Sequence, residues 1–422
     1  MAIMTTTAGD ALLKVRYIGP VREQLNNKTV LADRLDRDET TQLVDGKSFT
    51  VPVHYKRNNQ AGSGRAENAT LPSVDTQTSA TAVVPNKFIY TTIEVTGPAM
   101  AASKTNLGSF VRLVDDEVRG ATRDMRKAFN RQLHSNGVDA LGYWTSGDNS
   151  SGTVIDDNRG NAFVHLGYGA TTCDLVNISG GTATFRGDSI VVTLTTEDTT
   201  TPGWNVTWTG SVASSADGDV LVPEDSMASG ASAAGYSMMG IDGIINTTNP
   251  PLLSGGLHGL AVASNAWWTA QYFGNSGTNR ALTLALMQAP LSQIAVRSDY
   301  DESDVKFLLG NVFIRDKYEQ LLIADKRHVN TLTLDGGWTG LDYSGKPFIV
   351  DTQCKRNTIY YIVPETMKIF RNQDFDWLTF DDGKIWHRRE NKDSYFATLA
   401  HYGDLACVTR NGNGRLDDCT DS

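Results

Sequence analysis

The spacing of apolar and polar positions predicts one long amphipathic helix in the first third of the chain. Apolar residues recur at three- and four-residue steps from Leu107 to Leu133, and charged residues fill the opposite face. Ser103 or Thr105 can cap the helix, and Asn136-Gly137 stops it. At 1.5 Å per residue, a helix of about thirty residues within 103–136 is about 45 Å long. Such a length is unusual for a globular domain, in which the mean helix has about 11 or 12 residues.

A different pattern precedes this helix and predicts an extended hairpin. Apolar and polar residues alternate over Phe49–Tyr55, and Pro52 on the polar face makes this an edge strand. The return strand is predicted at 86–95. Residues 58–80 between the strands carry almost no large apolar side chain, so this tip cannot bury itself. We expect another subunit to support it, because an isolated hairpin is only marginally stable.

Residues 143–240 predict a small all-β domain with an acidic, solvated surface. Twelve of the 39 residues from 171 to 209 are Thr, and Gly, Asp and Pro separate the strand-like runs. Between 161 and 235 there are eight acids and one base. The Ser- and Gly-rich segments 146–152 and 229–235 are predicted to be flexible linkers at the two ends of the domain.

The remaining segments predict an arm and an α/β region. Residues 1–45 are too short and interrupted to build a core, so we expect an arm that packs on something else. Helices are predicted at 282–296 and 311–325, and buried strands at 306–310, 348–351 and 358–363. The tail is predicted to hold three strands within 376–410, the last at 405–408.

Composition excludes several classes of protein. The chain has 422 residues, enough for two or three folding units, and 20% of them are charged. The formal net charge of -10 argues against a sequence-specific nucleic-acid binder. We find no apolar run of about 18 residues and no secretory signal at the start. The four cysteines form no Cys-x-x-Cys, so we expect reduced thiols and no zinc site.

No set of reactive side chains converges in the sequence. Gly340–Pro347 matches Gly-x-x-x-x-Gly-Lys, but Pro347 stands where a phosphate-binding loop has Ser or Thr, so we expect a tight turn before a strand. The glycine-rich stretch around His258 is interpreted as a connector. The adjacent acids at 381–382 and 417–418 are poor metal ligands. We therefore predict no catalytic residue, cofactor or metal. Because the arm and the hairpin both need support from outside, we expect copies of the chain to assemble with one another.

The order of these parts resembles the major capsid protein of tailed bacteriophages, which has the Hong Kong 97-type fold. The local resemblance lies in Gly310–Leu321, in Gly345–Asp351 followed by Asn357–Tyr360, and in Asp393–Asp404. It implies an α+β fold in six parts. These are an N-terminal arm (1–45), an extended E-loop hairpin (46–100), the spine helix of the peripheral domain (101–142), an all-β insertion domain (143–240), an axial domain (241–375), and peripheral strands with the last axial strand and a tail (376–422).

The resemblance implies a structural, non-enzymatic coat protein. Its hexamers and pentamers would form the icosahedral head that encloses phage double-stranded DNA, assembled in the bacterial cytoplasm. Expected partners are a separate scaffolding protein, a portal and decoration proteins. Arg57, Arg65 and Glu67 at the hairpin tip are the expected intersubunit contacts. The alternatives are an encapsulin-type nanocompartment shell, a hydrolase with an accessory β domain, and a surface-binding module built on the Thr-rich segment.

Overall fold

The structure is a computed structural model that describes residues 30–38, 47–59, 62, 64–99, 113–147, 151–155, 166, 169–198, 203–228, 235–324, 331–334, 338–379 and 383–420. It is mixed helix and strand, with strands predominating, as the sequence predicts. Its described helices include α1 (Leu113–Leu133), α2 (Ile241–Ile244), α3 (Leu284–Arg297) and α4 (Val312–Ala324). Short 3-10 turns lie at Glu302–Asp304, Pro364–Thr366 and Arg410–Gly412.

The strands belong to four sheets. In chain order they are β1 (Asp36–Asp38), β2 (Ser48–Lys56), β3 (Thr78–Pro85), β4 (Lys87–Thr96), β5 (Gly142–Gly147), β6 (Ser151–Ile155), β7 (Ala170–Ser179), β8 (Thr182–Asp198), β9 (Gly203–Thr209), β10 (Val220–Pro223), β11 (Gln271–Phe273), β12 (Phe307–Gly310), β13 (Thr331–Leu334), β14 (Trp338–Tyr343), β15 (Lys346–Val350), β16 (Ile359–Ile362), β17 (Met367–Trp377), β18 (His387–Arg388), β19 (Ser394–Cys407) and β20 (Gly414–Leu416).

The first sheet, here called the peripheral sheet, supports the long helix. Its order is β1-β17-β19-β18, and β4 also pairs with β19. The apolar face of α1 packs on this sheet through Ala121, Met125, Phe129 and Leu133, all buried. Residues 101–112, in which the predicted helix begins, lie outside the described part of the chain. Within it, α1 and its apolar face agree with the prediction.

A second sheet, here called the axial sheet, has seven strands in the order β11-β20-β16-β12-β15-β14-β13. One face packs on α3 and α4 through Met287, Leu291 and Ile314. The other face joins the largest core, which continues to the peripheral sheet. The predicted helices at 282–296 and 311–325 and the strands at 306–310, 348–351 and 358–363 are present, because each has a clear local period.

The hairpin forms, but the predicted return strand at 86–95 is wrong. β2 pairs with β3, with Phe49 opposite Val84 and Val51 opposite Ala82. The following strand, β4, pairs instead with β19 over ten residue pairs. The sequence analysis places 78–80 in the tip and assigns 81–85 to no strand, because most of these side chains are small. Ala82 and Val84 nevertheless bury completely, and small side chains suffice where a second strand must lie close to the core.

Strands β5 to β10 form a closed antiparallel barrel in the order β10-β5-β6-β9-β8-β7. Its interior is filled by apolar side chains, with Trp144 and Trp208 at 4.1 Å between ring centroids. The predicted entry linker at 146–152 is wrong at both of its ends, because Ser146 and Gly147 end β5 and Ser151 and Gly152 begin β6, while 148–150 lie outside the described residues. The true entry, 134–141, is buried almost throughout. The predicted exit linker lies largely outside the described residues.

A second apolar cluster seats the barrel on the rest of the molecule. Val176, Ala183 and Val222 of the barrel pack with Val138 and Leu252 of the body. The barrel therefore packs on the rest of the molecule through apolar contacts, in addition to being connected to it by the chain.

The tail also departs from the prediction. β17 begins at Met367, before the expected boundary at 376. The strand predicted at 405–408 is the end of β19, which runs unbroken from Ser394 to Cys407 in the peripheral sheet. The last axial strand is β20, which the sequence did not reveal because three residues are too few to show a period.

Part of the arm packs on its own chain. Leu31, Ala32 and Leu35 are buried in the largest core, and β1 pairs in parallel with β17. Asp351 and Asn130 hold this turn, since the Leu31 N–H donates to Asp351 Oδ2 (3.4 Å) and the Ala32 N–H to Asn130 Oδ1 (3.4 Å). Residues 1–29 and 39–46 lie outside the described part.

Candidate functional site

The hairpin β2–β3 with its connecting loop, residues 57–77, is the candidate site, because the sequence places its expected intersubunit contacts there. The root of the hairpin is fixed in the core. Phe49, Ala82 and Val84 are at most 1% exposed. Phe49 lies 5.4 Å from Phe370 of β17 between ring centroids. The root is therefore packed against the peripheral sheet.

The middle of the hairpin rests on the segment around His258. The Val83 N–H donates to the His258 carbonyl (2.8 Å), and Nε2 of His258 accepts the Cys407 N–H (3.0 Å). Burial lowers the pKa of His258 to about 3, so its ring is neutral and can accept this bond. His258 has a φ of 54°, in the left-handed region that few non-glycine residues adopt. The glycine-rich connector thus holds the hairpin against the end of β19.

Further out, the contacts become exposed and weak. Tyr55 stacks on Trp267 at 4.7 Å with an interplanar angle of 5°. Arg57 pairs with Asp299 of its own chain at 3.0 Å, and their side chains are 76% and 88% exposed. Such a solvated ion pair is worth about 0–1 kcal/mol. The expected contact of Arg57 with a neighbour stays a prediction, and it would have to share or replace this pair.

The tip loop is closed at its base by Asp75. Lys56 Nζ donates to Asp75 Oδ1 (2.8 Å), and the Asn59 N–H donates to Oδ2 (3.1 Å). The hydrogen bond from Lys56 is the main cause that lowers the pKa of Asp75. Beyond this base the chain runs without helix or strand from 69 to 77.

The outermost part of the loop is fully available for contact. Arg65 and Glu67 are exposed, and neither has an ion-pair partner among the described residues. Leu71 and Val74 are 82% and 94% exposed, the largest exposures of any apolar side chain described. The sequence analysis missed these two. The sequence does contain a signal for them, because they are large apolar residues in a polar stretch that has no core in which to bury them.

The other candidates from the sequence have structural roles. Ser344 and Gly345 form the turn between β14 and β15 with positive φ, as expected for a tight turn before a strand. Asp417 is held by Arg415 (2.5 Å to Nη2), and Asp418 accepts the backbone N–H groups of Asn275 and Gly277. Asp381 and Asp382 lie outside the described residues. In the described ranges, no three His, Cys, Asp or Glu side chains are placed to hold a metal ion.

The described helices include none that is long and apolar enough to cross a membrane. The four cysteines are buried and free of disulfides, as the sequence predicts.

Comparison with known proteins identifies the fold. No family model and no curated protein matches the sequence. Among solved structures, the capsid of cyanophage A-1(L) aligns over 97% of this chain and 98% of its own, with 14% identity and a TM-score of 0.57. The capsid of a native GTA particle aligns over 100% of both chains, with 11% identity and a TM-score of 0.53.

An encapsulin from Synechococcus elongatus, in the holo-SrpI complex, aligns over 100% of this chain and 98% of its own. Its identity is 9% and its TM-score 0.46, too low to support the nanocompartment alternative. The phage and GTA capsids align with this chain from end to end, so the similarity extends over the whole fold. The chain has the Hong Kong 97-type capsid fold that its order of elements predicts.

Proposed function

We propose that this chain is the major capsid protein of a tailed phage or related particle. Copies assemble into hexamers and pentamers that build an icosahedral head around double-stranded DNA. The observation that carries the proposal is the end-to-end similarity in fold to the cyanophage capsid, which covers 97% of this chain. The protein works as a structural component of the virion, without catalysis, and is assembled in the host bacterial cytoplasm.

The hairpin tip supplies part of the contact between subunits. Leu71 and Val74 are the apolar centre, and Arg57, Arg65 and Glu67 surround it with charge. Burying one such apolar side chain contributes about 1.5–3 kcal/mol, whereas an exposed ion pair contributes about 0–1 kcal/mol. The apolar pair therefore provides most of the affinity, and the charges select the partner.

Negative-stain microscopy and size-exclusion chromatography of the purified chain test the proposal. Rings or shells are the expected result. A compact 45.9 kDa species at every concentration, with or without a co-expressed scaffolding protein, would refute it. Shells that hold protein cargo and no nucleic acid would favour the nanocompartment alternative.

A charge reversal tests the hairpin within this function. Arg57→Glu combined with Arg65→Glu should leave the far-UV circular dichroism of unassembled protein unchanged and block shell formation. Lys306→Glu with Lys384→Glu is the matched control, since both lysines are exposed, lie outside the hairpin and change the charge equally. Normal shells from the Arg57/Arg65 variant would exclude these charges from the interface.

The barrel is an insertion that stands on the outer face of the shell. Its acidic surface would repel DNA, so the electrostatic free energy is lowest when the barrel faces outward. Gly142 and Leu221 are paired across β5 and β10, so replacing 142–223 by a short Gly-Ser linker joins two adjacent points. Leu252→Ser in the same chain removes apolar surface that the barrel covered.

We expect this deletion to give shells with an unchanged lattice but without outward knobs by cryo-electron microscopy. Deleting 148–234 is the contrasting variant. It leaves β5 and Trp144 without their barrel partners and should be insoluble. Density for the barrel on the inner face of wild-type shells would contradict the placement.

A further inference from the structure

Residues 235–239 form a strap that carries the chain from the barrel back to the body. At one end of the strap, Gly235 forms a β-bridge with Met227, which belongs to the apolar cluster between the barrel and the body. At the other end, Met238 and Met239 are buried in the largest core. A strap that opens would therefore loosen the exit of the barrel from the body.

Two ionisable side chains of the peripheral sheet fasten this strap. Lys87 of β4 donates from Nζ to the Gly235 carbonyl. The Met239 N–H donates to Oδ1 of Asp404 in β19 (2.9 Å). The strap is thus held at one end by an ammonium group and at the other by a carboxyl group.

The carboxyl group of Asp404 is buried without an ion-pair partner. In the described part of the chain, its oxygens accept only backbone N–H groups. Lys87 is the charged group that acts on it, and the Arg371 that β17 contributes is paired with Asp374. The strap itself contributes Tyr236, which is 53% exposed. Burial therefore dominates and raises the pKa of Asp404 to about 7.

Opening of the strap changes the surroundings of this carboxyl group. The Met239 N–H binds Asp404 directly, so a strap that lifts breaks this bond and lets water reach the oxygen. In water the carboxyl group ionises near its ordinary pKa of 3.8, whereas under the strap it keeps its proton up to about pH 7. The open strap therefore becomes more favourable as the pH rises between these values, and the effect levels off above them.

We propose that Asp404 is a proton-controlled catch for the strap: when its carboxyl group ionises, residues 235–239 open locally and loosen the barrel, while the peripheral and axial sheets stay folded. The burial of Met238 and its N–H bond to Oε1 of Gln132 (3.1 Å) keep the strap mostly closed. The catch makes the mobility of the barrel depend on the pH of its surroundings. It lies within one chain, so it does not depend on the proposed capsid function.

Hydrogen–deuterium exchange of the full, unassembled chain between pH 5 and pH 8 tests the catch. Dividing the exchange rate of each amide by its rate in an unstructured peptide removes the chemical effect of pH. The protection of the Met238 and Met239 amides should fall about 10²-fold from pH 5 to pH 8, mostly below pH 7. Low concentrations of urea should hardly change this protection, because a local opening exposes little surface.

Three variants separate the catch from other causes. Asp404→Asn should abolish the pH response of the strap, because Asn does not ionise. Lys87→Met should lower the protection at every pH, because the bond to Gly235 is lost. It should also extend the fall to higher pH, because the positive charge of Lys87 lowers the pKa of Asp404. Asp299→Asn, at an exposed carboxyl group, is the matched control and should behave like wild type.

The amides of Leu308–Gly310 in β12 are the reference for global unfolding. Equal protection and equal urea dependence in the strap and in β12 would overturn the proposal, since the strap would then open only with the whole molecule. This comparison uses wild type alone, so it does not require that any variant folds. A pH response that persists in Asp404→Asn would also overturn the proposal, because another group would then cause it. The assay needs no shell, so failure to assemble would refute the proposed function without affecting this result.

Discussion

Asp404 gives the sharpest prediction, because its carboxyl group is buried and few nearby groups would stabilise its charged form. It is 1% exposed, in β19. Its Oδ1 accepts the backbone N–H groups of Met239 (2.9 Å) and Leu405 (2.8 Å). Burial raises the pKa of Asp404 to about 7, and the charge of Lys87 only partly opposes this. Asp404→Asn keeps an oxygen for both bonds and removes the ionisation.

The direction in which stability changes with pH follows from proton binding in the folded and unfolded states. The folded protein keeps this proton up to a pKa of about 7, whereas the unfolded chain releases it near the ordinary value of 3.8. Stability therefore falls as the pH rises between these values. The full difference is about 4 kcal/mol, and about 2–3 kcal/mol of it develops between pH 5 and pH 8. Asn does not ionise, so the stability of the variant does not fall with pH for this reason.

Urea unfolding of unassembled subunits, followed by Trp fluorescence, measures the effect. The free energy of unfolding of Asp404→Asn minus that of wild type should be larger at pH 8 than at pH 5 by about 2–3 kcal/mol. Comparing the two pH values cancels the fixed cost of burying an amide. Asp299→Asn, at an 88% exposed side chain, is the control for the same change of side chain, and the pH effect of Asp404→Asn should exceed it. An equal difference at both pH values would refute the argument.

Three other predictions have clear expected outcomes. Leu71→Ser with Val74→Ser should leave the melting temperature of unassembled protein unchanged but slow assembly by light scattering, because both side chains are exposed; an unchanged assembly rate would contradict this. Arg410→Leu should cost about 3–5 kcal/mol in urea unfolding, because the buried guanidinium donates to the carbonyls of Gly243, Ile244, Thr248 and Trp268 and each buried acceptor left unsatisfied costs about 1–3 kcal/mol; a cost below about 1 kcal/mol would exclude this role. Native protein should react with a thiol reagent at none of its four buried cysteines, and burial raises the pKa of Cys173, Cys407 and Cys419 to about 12; any fast-reacting native thiol would be inconsistent with this packing.

Elements with a strong local period were predictable from the sequence. The apolar positions of α1 and α3 and the alternation of β2 depend only on neighbours along the chain, and the structure has them where expected. The order of these elements was enough to predict the capsid fold.

Features decided by distant residues were not predictable. β3 buries Ala82 and Val84 only because β2 and the core lie beside it, and the same small residues in isolation resemble a loop. The sequence 146–152 resembles a linker, yet Gly147 and Gly152 are paired ends of two barrel strands. Arg57 is paired by Asp299, 242 positions away, which no local pattern reveals.

The pairing of β4 with β19 has a consequence for synthesis of the chain. Thr92 and Thr398 are bonded partners 306 positions apart, so the peripheral sheet stays incomplete until residues 394–407 have left the ribosome. At about 5–20 residues per second this delay is roughly 15–60 s. Throughout it, the apolar side of α1 and the inner side of β4 lack the strand that covers them. Nascent chains halted before residue 394 should therefore bind chaperones at 87–133, and chains extended past 407 should release them.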